Sequence, residues 1–166
     1  MNIKKKRNDI MVLIPARKNS SRLKNKNLKK INNKELIYYP ITSAKNSKYV
    51  NKILVSTDSK KIAKIANKYG AETPFLRPKV LSTNQSPVID TILYTLARLE
   101  KNYSYKPDYV IIIQPTSPLI TSDLIDKAIK KAEQQKADSV VGLTPLDTTT
   151  HPFNIRKIYN KKIVRF

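Results

Sequence analysis

An α/β fold, with a mainly parallel sheet covered by helices on both faces, is what this sequence of 166 residues predicts. Three observations carry that prediction. Unbroken apolar runs stand at Ile10 to Ile14 and Tyr109 to Ile113, short and without alternation, as suits strands buried on both faces. Between such runs, apolar residues recur at helical spacing. The pieces then follow as strand, loop, helix, strand, helix, a short apolar piece, helix, strand, helix and strand, which implies right-handed crossovers and a sheet whose carboxyl ends carry the ligand.

Taken in order, Ile10-Met11-Val12-Leu13-Ile14 is the first strand, closed by Pro15. Residues 16–34 are polar, basic and rich in Asn, a loop by composition. Leu36 to Ser47 predicts a helix with Pro40 in its first turns, where proline is tolerated. Ile53 to Thr57 is a second strand, after which Asp58 or Ser59 caps a helix. Ile62, Ile65, Ala66 and Tyr69 fall on one face of that helix, and Gly70 stands where a terminating glycine belongs. A short apolar piece follows at Thr73 to Leu76, then a polar loop from Arg77 to Gln85. Ser86-Pro87 reads as the cap and first residue of the next helix, with Ile89, Ile92, Leu93 and Leu96 as its buried stripe. Tyr109 to Ile113 is the strongest strand. Thr121 or Ser122 caps a helix that turns Leu124, Ile125, Ala128, Ile129 and Ala132 inward. Ser139 to Leu143 is a further strand, and Ile155–Tyr159 with Ile163–Phe166 predicts a hairpin.

A chain of this length buries roughly 70% of its unfolded surface, enough for a core. Cysteine is absent, which excludes disulfides, zinc–thiolate sites and thiol catalysis. His151 is the one histidine, so a histidine metal cage is excluded as well. No apolar run approaches the ~20 residues of a membrane span. The basic Lys4–Arg7 start precedes an apolar run too short for a secretory signal. A soluble cytoplasmic protein with no membrane partner is the expectation.

Lys and Arg number 33 against 12 Asp and Glu, a net charge of +21. Usage rich in Lys, Asn, Ile and Tyr throughout, as an A+T-rich coding sequence gives, is one account of the overall excess. It does not explain the first 34 residues, where Asp9 is the one carboxylate among twelve cations. A focused positive field attracts phosphates.

The loop after the first strand is neither a Walker A loop nor a dinucleotide fingerprint, since the chain has two glycines, Gly70 and Gly142. It does carry Arg17 and Lys26 among small donors. An Arg forks two phosphate oxygens, and a Lys adds a compact charge. Ser20, Ser21 and the Asn side chains supply further donors. A merely solvated basic loop is the alternative that this segment alone leaves open.

Four ordered motifs go further. Ile14-Pro15-Ala16-Arg17 with Ser20 and then Lys26-Asn27-Leu28 resembles the opening of the acylneuraminate cytidylyltransferases. Val55-Ser56-Thr57-Asp58 resembles that family's second strand and its end. Phe75-Leu76-Arg77-Pro78, with Leu81 and Ser82, resembles its Leu-Arg-Pro stretch, and Gln114-Pro115-Thr116-Ser117-Pro118-Leu119 matches its Gln-Pro-Thr-Ser-Pro-Leu. The resemblance spans residues 10–155.

The resemblance implies a Rossmann-like three-layer fold of the nucleotide-diphospho-sugar transferase type. It also implies transfer of a cytidylyl group from CTP to an acidic nonulosonic sugar, with pyrophosphate leaving and Mg²⁺ assisting. Residues 1–9 become a basic tail, 10–150 the nucleotide-binding domain, and 151–166 the start of a hairpin and dimerisation segment. Arg17 and Lys26 match the catalytic cations, Lys26 on the triphosphate and Arg17 on the α- and β-phosphates. Ser20, Asn27, Arg77 and Ser86 match nucleotide-binding positions. Gln114 matches the residue that helps hold the acidic sugar, with Thr116 and Ser117 shaping the same wall. CTP, an acidic sugar and a second copy of the chain are the implied partners, and nucleic acid is not among them.

Plainer roles stand beside these. Asp58 suits a helix cap, Arg77 a surface cation, Pro115 and Pro118 a strand end, and His151 a structural role. Departures from the family are also visible. Lys18-Asn19-Ser20-Ser21 replaces the loop glycines, with Asn19 suited to a left-handed conformation. Asn84 replaces an Asp, and Ile120 an Arg. The chain reads as truncated at Phe166, before the segment that carries the family's metal-holding aspartates. No metal ligand is assigned; substrate phosphates or residues past Phe166 would supply them. Two alternatives follow: a transferase for an eight-carbon ulosonic acid, or a non-catalytic paralogue that binds nucleotide or polyanion.

Overall fold

The computed structural model describes residues 8–20 and 23–143, and the backbone of two later strands. Strand β1 (Ile10–Pro15) is the central strand of a parallel three-stranded sheet, between β4 (Lys52–Ser56) and β5 (Tyr109–Ile112). Leu13 of β1 stands in register with Leu54 on one side and Ile112 on the other. Five consecutive residues of β1, Ile10 to Ile14, are buried, because each face of the sheet is covered.

One face is packed by α1 (Tyr38–Lys45), α2 (Lys60–Lys68) and α4 (Ser122–Gln135). There Val12, Ile14 and Val55 meet Ile41, Ile62, Ala66, Ile125 and Ile129. On the other face Met11, Leu13 and Leu54 meet Leu99 of α3 (Val88–Tyr103), with Ile92 and Leu96 beside them. The doubly covered parallel sheet expected from the sequence is therefore formed.

Local chemistry explains the element ends. Ser59 caps α2 by accepting from the N–H of Ile62, and Thr121 caps α4 by accepting from that of Leu124. Gly70, at φ 96°, ends α2, and the N–H of Ala71 reaches the carbonyl of Ala66 at 3.1 Å. The loop at 16–34 is more structured than its composition suggests. It holds a 3₁₀ turn at Lys26–Leu28 and a small hairpin of β2 (Lys30–Ile31) and β3 (Lys34–Glu35). Asn32 and Asn33, at φ 47° and 61°, make the two-residue turn, which demands left-handed backbone at both positions.

Five expectations need correction. The buried row of α3 is Thr91, Thr95 and Leu99, while Ile89 and Leu93 are 54% and 58% exposed. The helix turns its threonines inward because polar groups meet them there. Thr91 Oγ1 accepts from Arg77 at 3.0 Å, and Thr95 Oγ1 donates to the Thr91 carbonyl at 2.7 Å. Its cap position is Pro87, whereas Ser86 folds back on Thr83.

In α4, Leu124 is exposed and Asp126 is buried, since Asp126 accepts from the Ser47 hydroxyl at 2.5 Å and from the Lys48 N–H at 3.2 Å. The piece near Thr73 to Leu76 forms no strand; one parallel bridge, Leu54 to Glu72, stands in its place. Ser139 to Leu143 is not a strand either. Among the described residues no strand pairs with its backbone, and Val141 and Leu143 lie exposed.

The expected hairpin is present as antiparallel β6 (Arg156–Tyr159) and β7 (Lys162–Arg165). Residues 1–7, and with them most of the basic tail, lie outside the described residues, as do Ser21 and His151.

Candidate active site at the carboxyl ends of the strands

Parallel strands deliver their following loops to one edge of the sheet. Here the loop after β1, the 77–86 segment and the loop after β5 line a cavity of about 400 Å³. Arg17, Ser20, Lys26 and Asn27 line it from the first loop. Arg77, Thr83 and Ser86 line a second wall, and Gln114 and Thr116 a third. The structure thus brings together every expected site residue except Ser117. Ser117 is exposed and outside the lining, its N–H donated to the Gln114 carbonyl at 3.0 Å.

Three consecutive residues at the end of β4 anchor two walls. The Ser56 carbonyl accepts from the Ala16 N–H at 2.9 Å, and the Thr57 carbonyl accepts from the Arg77 N–H at 2.8 Å. Asp58 Oδ1 accepts from the Lys18 N–H at 2.7 Å. Asp58 is therefore a clamp on the first loop, and the cap of α2 is Ser59. Asn27 is buried and donates its side-chain amide to the Arg17 carbonyl at 2.9 Å, fixing the loop from the other side. Asn19 is not left-handed; Asn25 is, at φ 55°, just before the turn that carries Lys26.

Arg77 is 7% exposed, so it is no surface cation. Its Nη1 donates to Thr91, while Nε and Nη2 have no hydrogen-bond partner among the described residues. A buried guanidinium with idle N–H groups on a cavity wall is suited to receive an anion. Burial lowers its pKa from the ordinary arginine value; Asp58 opposes that shift and Arg17 adds to it. Arg17 in turn donates to the Thr83 carbonyl across the cavity. Thr83 and Ser86 close their own turn, with hydroxyl oxygens 2.7 Å apart. Thr116 Oγ1 donates to Gln114 Oε1 at 3.3 Å.

Among the described residues the lining holds three cations, Arg17, Lys26 and Arg77, and no carboxylate. That donor set does not fit a hard divalent cation, which takes oxygen ligands. Among the described residues no cluster of three or more Asp, Glu or His could hold a metal. Sequence reasoning missed Thr91 and Thr83. Thr91 left a signal, a polar residue one helical turn before Thr95 on a face that packs against the sheet.

Residues 11–161 match the family described as Cytidylyltransferase, and the chain belongs to that family. It is 36% identical over 157 residues to the post-translational flagellin modification protein B of Campylobacter coli, covering 95% of this chain and 66% of that protein. It is 38% identical over 137 residues to a CMP-N,N'-diacetyllegionaminic acid synthase of Legionella pneumophila, covering 82% of this chain and 58% of the relative. An N-acylneuraminate cytidylyltransferase of Escherichia coli is 34% identical over 139 residues, or 83% of this chain and 32% of its own. The chain thus spans about two thirds or less of these relatives' length. Among solved structures, a CMP:2-keto-3-deoxy-manno-octonic acid synthetase complexed with CTP superposes with a TM-score of 0.65 at 20% identity. That match covers 78% of this chain and 49% of the other, and it shows the same fold. Among the described residues, no helix is long and apolar enough to cross a membrane.

Proposed function

We propose that this chain is a cytidylyltransferase that moves CMP from CTP to the anomeric hydroxyl of an acidic nonulosonic sugar. The observation that carries this is the cavity at the strand ends, where three cations face one space and Arg77 has two unpartnered N–H-bearing nitrogens. The names of the legionaminic and neuraminic relatives support the sugar class.

In the reaction a bond forms between the sugar oxygen and the α-phosphorus. The bond from the α-phosphorus to the bridging oxygen breaks, pyrophosphate leaves with the electron pair, and the hydroxyl proton is lost. Charge grows on the phosphate oxygens, so fixed cations stabilise the transition state. Arg17 and Lys26 serve the triphosphate; for Arg17 this means exchanging the Thr83 carbonyl for a phosphate oxygen. Ser20 and Ser86 face the same cavity as further donors, and Arg77 supplies the buried cation of the nucleotide wall. Asn27 acts by holding the Arg17 carbonyl, and Gln114 and Thr116 face the acceptor sugar. Ser117 joins them only through its bond to Gln114. Any Mg²⁺ would take its ligands from the substrate's phosphate oxygens and supply charge neutralisation there. A cytoplasmic setting, where CTP is made, and a homodimer through the terminal hairpin complete the reading. Sedimentation that shows only monomer at micromolar concentration counts against the dimer.

The test is incubation of the 166-residue chain with CTP, Mg²⁺ and a panel of acidic sugars, with pyrophosphate measured. Release with a nine-carbon sugar is expected, and release with an eight-carbon sugar alone would move the substrate class. CTP binding without release from any sugar would assign a non-catalytic nucleotide-binding paralogue.

A further inference from the structure

We propose that a lobe of lysines behind the phosphate loop steers anionic substrates into the cavity without touching them. Two adjoining clefts, of about 440 and 300 Å³, share Asn25, Leu28 and Lys61. Between them they present Lys18, Lys24, Lys29, Lys60 and Lys61. The one carboxylate of their lining, Asp58, is engaged with the Lys18 N–H. None of the five lysines forms an ion pair among the described residues, and all five are exposed.

The lobe adjoins the site through shared turns. Arg17 faces the cavity and Lys18 a cleft; Lys26 and Asn27 face the cavity, and the flanking Asn25 and Leu28 face the clefts. Lys18 directly follows Arg17 and Lys24 directly follows Leu23, both on the cavity wall. These charges therefore lie within reach of a nucleotide at physiological ionic strength, where the Debye length is about 8 Å. Lys29, Lys60 and Lys61 join them along the clefts. Lys60 and Lys61 are the first two residues of α2, whose first turn has no acidic residue. Positive charge there opposes the helix dipole, so the arrangement works against helix stability. Local rules are broken in this way where function requires it. Concentrated like charge beside a cavity raises association rates for opposite charge by 10- to 1000-fold.

This inference rests on CTP being the substrate, and the experiment separates the two ideas. Stopped-flow binding of an N-methylanthraniloyl derivative of CTP is followed from low to high salt. The unaltered chain is compared with Lys60→Glu/Lys61→Glu and with Lys24→Glu/Lys29→Glu. A control, Lys101→Glu/Lys131→Glu, makes the same change in net charge at the other end of the sheet, where Tyr105 meets Asp9 and Glu133 meets Asn8. Each lobe variant is expected to associate about tenfold more slowly at low salt. The difference should vanish near half-molar salt, with dissociation unchanged. Melting temperature should hold or rise for the Lys60/Lys61 variant, which excludes unfolding as the cause. Lobe variants as fast as the control, or a slowing that persists at high salt, would overturn steering alone. Failure of the unaltered chain to bind the probe at any salt would overturn the functional reading, and steering with it.

Discussion

The backbone N–H of Lys18 donates to Asp58 Oδ1 at 2.7 Å, so a side chain at the end of β4 holds the loop that leaves β1. The loop's own cations cannot do this, because they repel one another. Asp58→Ala is therefore expected to loosen the loop and weaken CTP binding about tenfold, roughly 1.4 kcal/mol. Asp58→Asn keeps an oxygen acceptor and should recover most of the affinity. Calorimetric titration of both variants is the check; equal losses would show that the acceptor is not what matters.

Arg77 gives a prediction of opposite signs. Two unused N–H-bearing nitrogens on a buried guanidinium are worth about 3 kcal/mol to an anion, a factor near 100 in affinity. In the free chain the same charge is desolvated without a full set of partners, which costs stability. Arg77→Met should thus bind CTP about 100-fold more weakly while its urea midpoint stays or rises. A variant that binds normally would remove Arg77 from the site.

The Tyr69 hydroxyl donates to Glu35, tying the end of α2 to β3. That bond holds the Glu35 carboxyl below its usual range and raises Tyr69 to about 12. The depressed acid contributes stability above its unfolded value near 4.5, lost as pH falls through the folded value. The raised phenol contributes stability below its unfolded value of 10.0, lost as pH rises toward 12. Urea unfolding of Tyr69→Phe against the unaltered chain should differ between those limits and converge above pH 12.

Ile14 is fully buried on the face shared with Ile41 and Ile62. Ile14→Ala removes three carbons from a close-packed layer and should destabilise by about 2–5 kcal/mol. A loss below 1 kcal/mol in a urea melt would mean that the layer collapses to fill the space.

The strands β1, β4 and β5 were legible as short apolar runs; β1, buried on both faces, is the clearest, because a doubly covered strand must be apolar on both sides. The site residues were legible through motifs; composition alone left a solvated loop open. What escaped was decided by partners distant in sequence. The apolar stripe of α3 pointed to Ile89 and Leu93, yet the helix turns Thr91 inward because a buried Arg77, 14 residues earlier, needs its hydroxyl. Ser139 to Leu143 has the composition of a strand, but composition does not supply a neighbour. The Asn32-Asn33 turn was hidden by reading Asn as polar filler, when its tolerance of left-handed backbone was the relevant property.

Because Ala16, Lys18 and Arg77 all hang from Ser56, Thr57 and Asp58, the spacing of the two guanidinium arms is set by strand registration, not by loop drift. Substitutions meant to reshape the cavity should leave this pin intact and vary the 79–86 segment. Inserting a single residue at the pin would displace both arms together.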